Sequence, residues 1–111
     1  MAGISTHVLN LTTGRPISGM RVELYDLAHT PAQRITSTRT NADGRTDAPM
    51  MAAAAARTGD FELRFYIGEH FKEPPALSDE VLVRFSIFDA AQHYHVPMLC
   101  SPWFFNTYRG S

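Results

Sequence analysis

The sequence predicts an all-β fold, a two-sheet antiparallel β-sandwich in one domain over residues 1–111. Three observations support this prediction. Short segments rich in β-branched and aromatic residues alternate apolar with polar positions. Clusters of Gly, Pro, Asn, Asp and Thr separate these segments. A chain of 111 residues is also long enough for one hydrophobic core but not for two.

Seven segments carry the strand pattern, and each ends at a turn signal or at a change of period. Alternation is clearest in residues 61–67 and 81–88. Asp43-Gly44 follows a threonine-rich segment and predicts a tight turn. In chain order, the predicted strands are residues 4–10, 20–27, 34–40, 61–67, 81–88, 94–100 and 104–109.

Two segments favour helical turns. Residues 52–56 are five alanines, which have high helix propensity but form no apolar stripe, so we expect one or two turns. Residues 69–73 precede Pro74 and Pro75, which would end any helix there, so we expect one short turn.

Composition and charge exclude several classes of function. The chain is 44% hydrophobic and 19% charged, which is typical of globular proteins. A net charge of −1 provides no electrostatic basis for binding nucleic acid or an anionic membrane. The sequence contains no apolar run long enough to span a membrane, and it begins without a recognisable secretory signal. We therefore expect a soluble cytoplasmic protein.

Cys100 is the single cysteine, which excludes an internal disulfide and any zinc site that needs two cysteines from one chain. We interpret Cys100 as a small buried apolar residue. The sequence has no nucleophile-elbow motif, so nothing indicates covalent catalysis by a serine or cysteine.

Strand parity places His7 and His95 on outward faces. Side chains alternate across a strand, and the even-numbered positions of residues 4–10 and 94–100 are suited to the core. The same reasoning places Tyr108 on the histidine side. The expected outward neighbours are apolar: Leu9, Pro97 and Leu99. Such a face indicates an interface or ligand site and predicts symmetric self-association, although isolated exposed apolar residues are also ordinary.

The three histidines leave a metal site open as an alternative. His93 and His95 share one face of a strand, with Cα atoms about 7 Å apart. Together with His7 they make three potential ligands, and three histidines can hold catalytic zinc. No Asp or Glu adjoins them in sequence to orient the rings, so we assign no metal.

Arg45 directly follows the Asp43-Gly44 turn. It is either an ordinary hairpin arginine or a guanidinium that hydrogen-bonds a planar, oxygen-rich ligand. The turn pattern alone leaves both interpretations open.

Five short motifs, each present once, are spread along the chain. They are Ser5-Thr6-His7-Val8-Leu9, Thr40-Asn41-Ala42-Asp43-Gly44-Arg45-Thr46, His93-Tyr94-His95-Val96-Pro97, Ser101-Pro102 and Thr107-Tyr108-Arg109-Gly110-Ser111. Together they resemble the 5-hydroxyisourate hydrolases, the transthyretin-related enzymes of purine breakdown. The resemblance covers essentially the whole chain, and the final Tyr-Arg-Gly-Ser separates these enzymes from transthyretin, the hormone carrier.

The resemblance implies a transthyretin-like sandwich of about eight strands with one short helix. It also implies a homotetramer, a dimer of dimers, with active sites in the channel between the paired dimers. The implied reaction is hydrolysis of 5-hydroxyisourate, a cyclic amide, to 2-oxo-4-hydroxy-4-carboxy-5-ureidoimidazoline, without cofactor or metal. A non-catalytic carrier of small aromatic ligands is the alternative, followed by a sandwich used only for protein interaction.

The resemblance also implies the residues of the site. His7, Arg45, His95 and Ser111 would be catalytic, while His7, Arg45 and Tyr108 would bind the substrate. We expect the two histidines to activate water and relay protons, because imidazole titrates near neutral pH. The hydroxyl or α-carboxylate of Ser111 would orient one of them. Arg45 would stabilise the developing oxyanion.

Overall fold

Two facing sheets enclose the core in the computed structural model, which describes residues 2–110. Ten short strands lie in this range, with one 3-10 turn at Ala53–Ala55 and one helix, α1, at Ile67–His70. The strands are β1 Gly3–Ser5, β2 Val8–Asn10, β3 Arg15–Pro16, β4 Arg21–Asp26, β5 Gln33–Arg39, β6 Gly59–Phe65, β7 Val81–Ile87, β8 His93–His95, β9 Met98–Cys100 and β10 Phe105–Thr107.

The layer that we call the first sheet combines the two-stranded ladder of β1 and β8 with a four-stranded sheet, and it bends where the two meet. Two residues separate β1 from β2, and two separate β8 from β9. β1 pairs in parallel with β8, and β2 in parallel with β9. Hydrogen bonds from Val96 N to Ser5 O and from Met98 N to His7 O, both 2.9 Å, carry the pairing through the bend. β3 and β10 flank this pair with antiparallel contacts, in the order β10-β9-β2-β3.

The second sheet has the order β5-β4-β6-β7 and is antiparallel throughout. Its inward side chains close the core against those of the first sheet. Because strand side chains alternate, each core position is followed by one that faces away from the core. The largest apolar side chains that are almost fully buried are Ile4, Ile17, Met20, Leu24, Phe61, Leu63, Phe65 and Met98.

The predicted inward faces are confirmed. Ile4 and Val8 are fully buried and Thr6 is 2% exposed, whereas His7 between them is only partly buried. The even-numbered residues from 94 to 100 are all buried. Pro97 is the exception to the predicted parity, because it too is buried. It lies at the bend, where regular alternation is interrupted, and its carbonyl accepts a hydrogen bond from Thr107 Oγ1.

The all-β fold is confirmed, with differences in detail. The predicted strands 4–10 and 94–100 each divide in two, and their mutual pairing is parallel rather than antiparallel. The alanine segment forms only the 3-10 turn, as its lack of an apolar stripe favours. α1 begins two residues before the predicted turn and ends before Pro74, so the strand predicted for residues 61–67 ends earlier, at Phe65. No helix in residues 2–110 is long and apolar enough to cross a membrane.

Candidate active site

Ser5 connects two histidines on the outward side of the bent sheet. Its register partner in β8 is His95. Ser5 Oγ lies 2.6 Å from His93 Nε2 and 2.8 Å from His95 Nδ1. His93 Nδ1 in turn donates to the carbonyl oxygen of Ala2 at 3.1 Å. A chain of three hydrogen bonds therefore runs from Ala2 to His95.

His7 lies at the bend between β1 and β2, where the Asp43-Gly44 turn holds its ring. His7 Nε2 donates to the carbonyl oxygen of Asp43 at 2.8 Å. Gly44 has a φ of +75° and packs so closely that a Cβ there would clash with the carbonyl oxygen of Val8. Only glycine suits both the backbone conformation and the space. The predicted turn therefore also positions the His7 imidazole.

Asn41 shapes the turn that presents Arg45. Its Oδ1 accepts hydrogen bonds from the backbone N–H groups of Asp43 at 2.9 Å and Arg45 at 3.2 Å. The backbone N–H of Asn41 donates to Arg45 O at 2.7 Å. The Arg45 side chain is exposed and forms no ion pair with a carboxylate of residues 2–110. Its guanidinium is therefore available to a ligand as far as the described residues are concerned.

The pKa of His95 is lowered from its ordinary value. Burial of the ring is the main cause, followed by the charge of Arg45 and then by His93 and His7. Each of these disfavours the imidazolium. The structure thus brings Arg45, His93 and His7 within electrostatic reach of His95. At neutral pH, His95 is held in the neutral form that can accept a proton.

The segment after β10 packs against the His95 ring. Gly110 N donates to the carbonyl oxygen of His95 at 2.7 Å, and these residues form an antiparallel bridge. A Cβ at Gly110 would lie 2.6 Å from His95 Cδ2, which is too close for any other residue without displacement. Ser111, predicted to be catalytic, lies outside the described residues. The residue before it contacts the ring edge of His95.

Arg109 anchors this segment, residues 108–110, to β8. Its guanidinium donates to Gln92 Oε1 at 3.0 Å and to the carbonyl oxygen of His93 at 3.1 Å. It also stacks over the Tyr94 ring, 4.1 Å from the ring centroid. Sequence reasoning assigned Arg109 to a motif but not to a role. Its position shows that it anchors the terminal segment beside the histidines.

Tyr108 lies apart from the histidines within one chain. It is 56% exposed and borders a groove of about 340 Å³ that Val83, Phe85 and Tyr94 also line. His7, Arg45 and His95 do not line this groove, and within residues 2–110 Tyr108 has no side-chain hydrogen bond to them. Its substrate-binding role stays a prediction.

The histidines do not form a metal-binding arrangement in the described part of the chain. Residues 2–110 contain no group of three or more His, Cys, Asp or Glu placed to hold a metal ion. Both ring nitrogens of His93 and one of His95 are engaged in hydrogen bonds. Cys100 is fully buried, and burial raises the pKa of its thiol to about 12, as expected for an apolar core residue.

Comparison with known proteins places the chain in a family. Residues 4–110 match the model of the HIUase/Transthyretin family. The 5-hydroxyisourate hydrolase of Deinococcus radiodurans is 41% identical over 115 residues, which cover 98% of this chain and 96% of that protein.

Solved structures show the same relationship. The 5-hydroxyisourate hydrolase of Klebsiella pneumoniae superposes with a TM-score of 0.85 at 31% identity, and all of both chains is covered. Transthyretin from Sparus aurata has a TM-score of 0.87 at 15% identity, covering 99% of this chain and 97% of that one, so it shows the shared fold alone. The resemblance and the transthyretin-like fold predicted from the sequence are confirmed. The chain belongs to the HIUase/Transthyretin family.

Proposed function

We propose that this chain, as one domain, hydrolyses 5-hydroxyisourate to 2-oxo-4-hydroxy-4-carboxy-5-ureidoimidazoline, a step of urate degradation. The observation that carries the proposal is the cluster of His7, Arg45 and His95, in which one imidazole is held neutral beside a guanidinium that forms no ion pair within residues 2–110. The relatives named 5-hydroxyisourate hydrolase support this substrate. A cyclic amide needs an activated water and a stabilised oxyanion, and this cluster contains groups of both kinds.

In the proposed mechanism His95 is the general base. It takes one proton from water while the water oxygen attacks the ring carbonyl carbon. Arg45 hydrogen-bonds the oxygen on which negative charge develops. The C–N bond then breaks, and the imidazolium returns the proton to the departing nitrogen. General-base help of this kind is worth about 10²–10⁴-fold in rate.

His7 and two further residues complete the proposed site. His7, whose Nε2 is occupied by Asp43 O, would contact the substrate through its other ring nitrogen. Ser111 would orient an imidazole through its hydroxyl. Support for Ser111 comes from Gly110, which holds the preceding backbone against His95. Tyr108 would bind the substrate, supplied from a neighbouring copy or by a shift of the terminal segment.

We further propose that the protein is a homotetramer, a dimer of dimers, with the histidine face lining a channel between dimers. Leu9 and Leu99 are register partners on the outward side of the sheet next to His7, and Leu11 is 45% exposed. Light scattering should give about four times the 12.4 kDa mass of one chain. Leu99→Glu should dissociate the assembly and lower activity, whereas Leu77→Glu on an exposed loop should do neither. A fully active monomer would contradict this assembly.

The activity is tested by following the decay of freshly made 5-hydroxyisourate spectrophotometrically. Arg45→Ala should lower kcat/KM about 10²–10³-fold, the usual effect of removing an oxyanion-stabilising donor. Arg39→Ala is the matched control, because Arg39 is also exposed but lies on β5 beside Glu69. Binding of 5-hydroxyisourate without its consumption would instead indicate a carrier. Equal kinetics for Arg45→Ala and the unmodified chain would remove Arg45 from the mechanism.

A further inference from the structure

We propose that Ser5 is a positioning residue that fixes the tautomer of His95, with hydrogen on Nδ1 and a free lone pair on Nε2. The inference rests on the proposed function, in which His95 accepts a proton from water. It follows from the three hydrogen bonds that join Ala2, His93, Ser5 and His95. The direction of each bond is determined by the one before it.

The direction is set first at the carbonyl oxygen of Ala2. A carbonyl oxygen can only accept, so His93 Nδ1, 3.1 Å away, must carry a hydrogen. A neutral imidazole carries one hydrogen in all. In the neutral form of His93, Nε2 therefore has a bare lone pair and can only accept from its own partner.

The second step is at Ser5. Its hydroxyl has one hydrogen, and the lone pair of His93 Nε2 lies 2.6 Å from Ser5 Oγ. Ser5 must donate there, which leaves its oxygen as an acceptor for His95 Nδ1 at 2.8 Å. His95 Nδ1 consequently carries the hydrogen, and neutral His95 is left with a bare Nε2.

The position of His95 Nε2 fits the role of a base. Gly110 packs against His95 Cδ2, the ring atom bonded to Nε2. The free lone pair thus lies at the ring edge next to the terminal segment. Burial and the neighbouring Arg45 lower the pKa of His95, which keeps this lone pair unprotonated at neutral pH.

The three hydrogen bonds also explain why His95 departs from the tautomer that a free histidine side chain prefers. An isolated neutral histidine side chain in water favours hydrogen on Nε2. In that tautomer, Nε2 of His95 would present a hydrogen-bond donor to the substrate instead of an acceptor. Without the Ser5 oxygen, nothing in residues 2–110 accepts from His95 Nδ1. Removing one hydroxyl should therefore turn the ring from a base into a donor, although the ring itself stays in place.

Histidine-selective ¹⁵N NMR tests this directly, because the shifts of the two ring nitrogens report which one carries hydrogen. In the unmodified protein at neutral pH, His95 should be protonated on Nδ1. Ser5→Ala should move it toward the Nε2-protonated form, and Ser5→Thr, which keeps a hydroxyl, should not. Hydrogen on His95 Nε2 in the unmodified protein would overturn the proposal, as would an unchanged tautomer in Ser5→Ala.

A second variant guards against loss of folding in Ser5→Ala. His93→Phe keeps the Ser5 hydroxyl but removes its acceptor, so the hydroxyl becomes free to donate to His95 Nδ1. His95 should then carry its hydrogen on Nε2. Retention of the Nδ1-protonated form in a folded His93→Phe protein would equally overturn the proposal that Ser5 fixes the tautomer of His95.

Kinetic measurements distinguish failure of the Ser5 proposal from failure of the proposed function. Ser5→Ala should lower kcat about 10²-fold, the low end of what general-base help is worth, with little change in KM. Ser5→Thr should retain most of kcat. Ser37→Ala, which removes a strand hydroxyl of the other sheet, is the control and should not change kcat. A changed His95 tautomer in Ser5→Ala with unchanged kcat would support the role of Ser5 in fixing the tautomer and would refute His95 as the base.

Discussion

The charge of Arg45 acts on the protonation of His95 across the site. Burial and Arg45 lower the pKa of His95, so the ring loses its proton below the usual value of about 6.5. The neutral ring is the proposed base. We expect kcat to rise with pH along an acid limb whose midpoint lies below 6.5, and to stay high at neutral pH.

Replacing Arg45 should move this limb. Arg45→Ala removes a positive charge that disfavours the imidazolium, so the pKa of His95 rises and the midpoint of the limb moves to higher pH. Arg45→Lys keeps the charge and should leave the midpoint in place even where it lowers kcat. Profiles of kcat against pH for the three proteins provide the measurement. Identical midpoints would mean that Arg45 does not act on His95.

The sequence predicted candidate site residues where strand alternation or a motif marks them, and their roles stay predictions. Parity alone placed His7 and His95 outward, and the Asp-Gly signal located the turn before Arg45. Ser5 was missed as a contact of His95, because a serine in a strand pattern carries no sign of what lies beside it. Only the parallel register of β1 with β8 reveals that neighbour.

The segment of residues 108–110 packs directly against the proposed base, His95, through Gly110. Gly110→Ala meets no backbone strain, since the φ of Gly110 is not in the positive range, and its added methyl overlaps His95 Cδ2. We expect kcat to fall at least about tenfold, as small misplacements in active sites do, with little change in melting temperature. Gly14→Ala provides the contrast.

Gly14 has a φ of +72° and open space around it. Alanine there should cost about 1 kcal/mol through backbone strain while leaving kcat unchanged. Thermal melts and hydrolysis assays of both variants measure the two effects. A Gly110→Ala protein with full activity would show that the packing of this segment on His95 is not required.

Element boundaries were predicted well where the pattern is regular and poorly at the bend. β7 follows its alternating segment to within one residue, whereas β6 lies two residues earlier than its segment because α1 begins at Ile67. Only one residue in the sequence indicates that the segments 4–10 and 94–100 divide. This residue is Pro97, whose backbone nitrogen cannot donate a hydrogen bond to a neighbouring strand. Parallel pairing has no signal in side-chain alternation, because alternation assigns faces but not the direction of a neighbour.

On the scale of the whole molecule, acid stability depends on Glu23, which is 2% exposed on the outer side of the second sheet. Burial opposes its ionisation, but hydrogen bonds from Tyr66, Ser37 and Tyr25 outweigh burial and lower its pKa to about 2. A carboxyl whose pKa is lowered on folding stabilises the fold above its unfolded pKa and loses that contribution as pH falls. Stability should therefore decrease from about pH 4.5 down to pH 2.

Glu23→Gln should weaken this pH dependence, because the amide does not titrate. It should also cost about 2 kcal/mol at neutral pH, the usual worth of hydrogen bonds to a charged group. Urea unfolding at several pH values measures both quantities. Glu73→Gln, on an exposed loop, is the control. An unfolding free energy of Glu23→Gln that falls as steeply with acid as that of the unmodified protein would contradict the assignment.

The parallel pairing of β1 with β8 joins residues 90 positions apart at Ser5 and His95. During synthesis, β1 leaves the ribosome well before β8, so until β8 follows its only pairing within residues 2–110 is the bridge from Ile4 to Met51. Contacts of such long separation slow folding, because a large loop must close before they form. The histidine site is thus among the last features that a growing chain can assemble, and a nascent chain stopped before residue 93 would carry His7 and Arg45 with no base beside them.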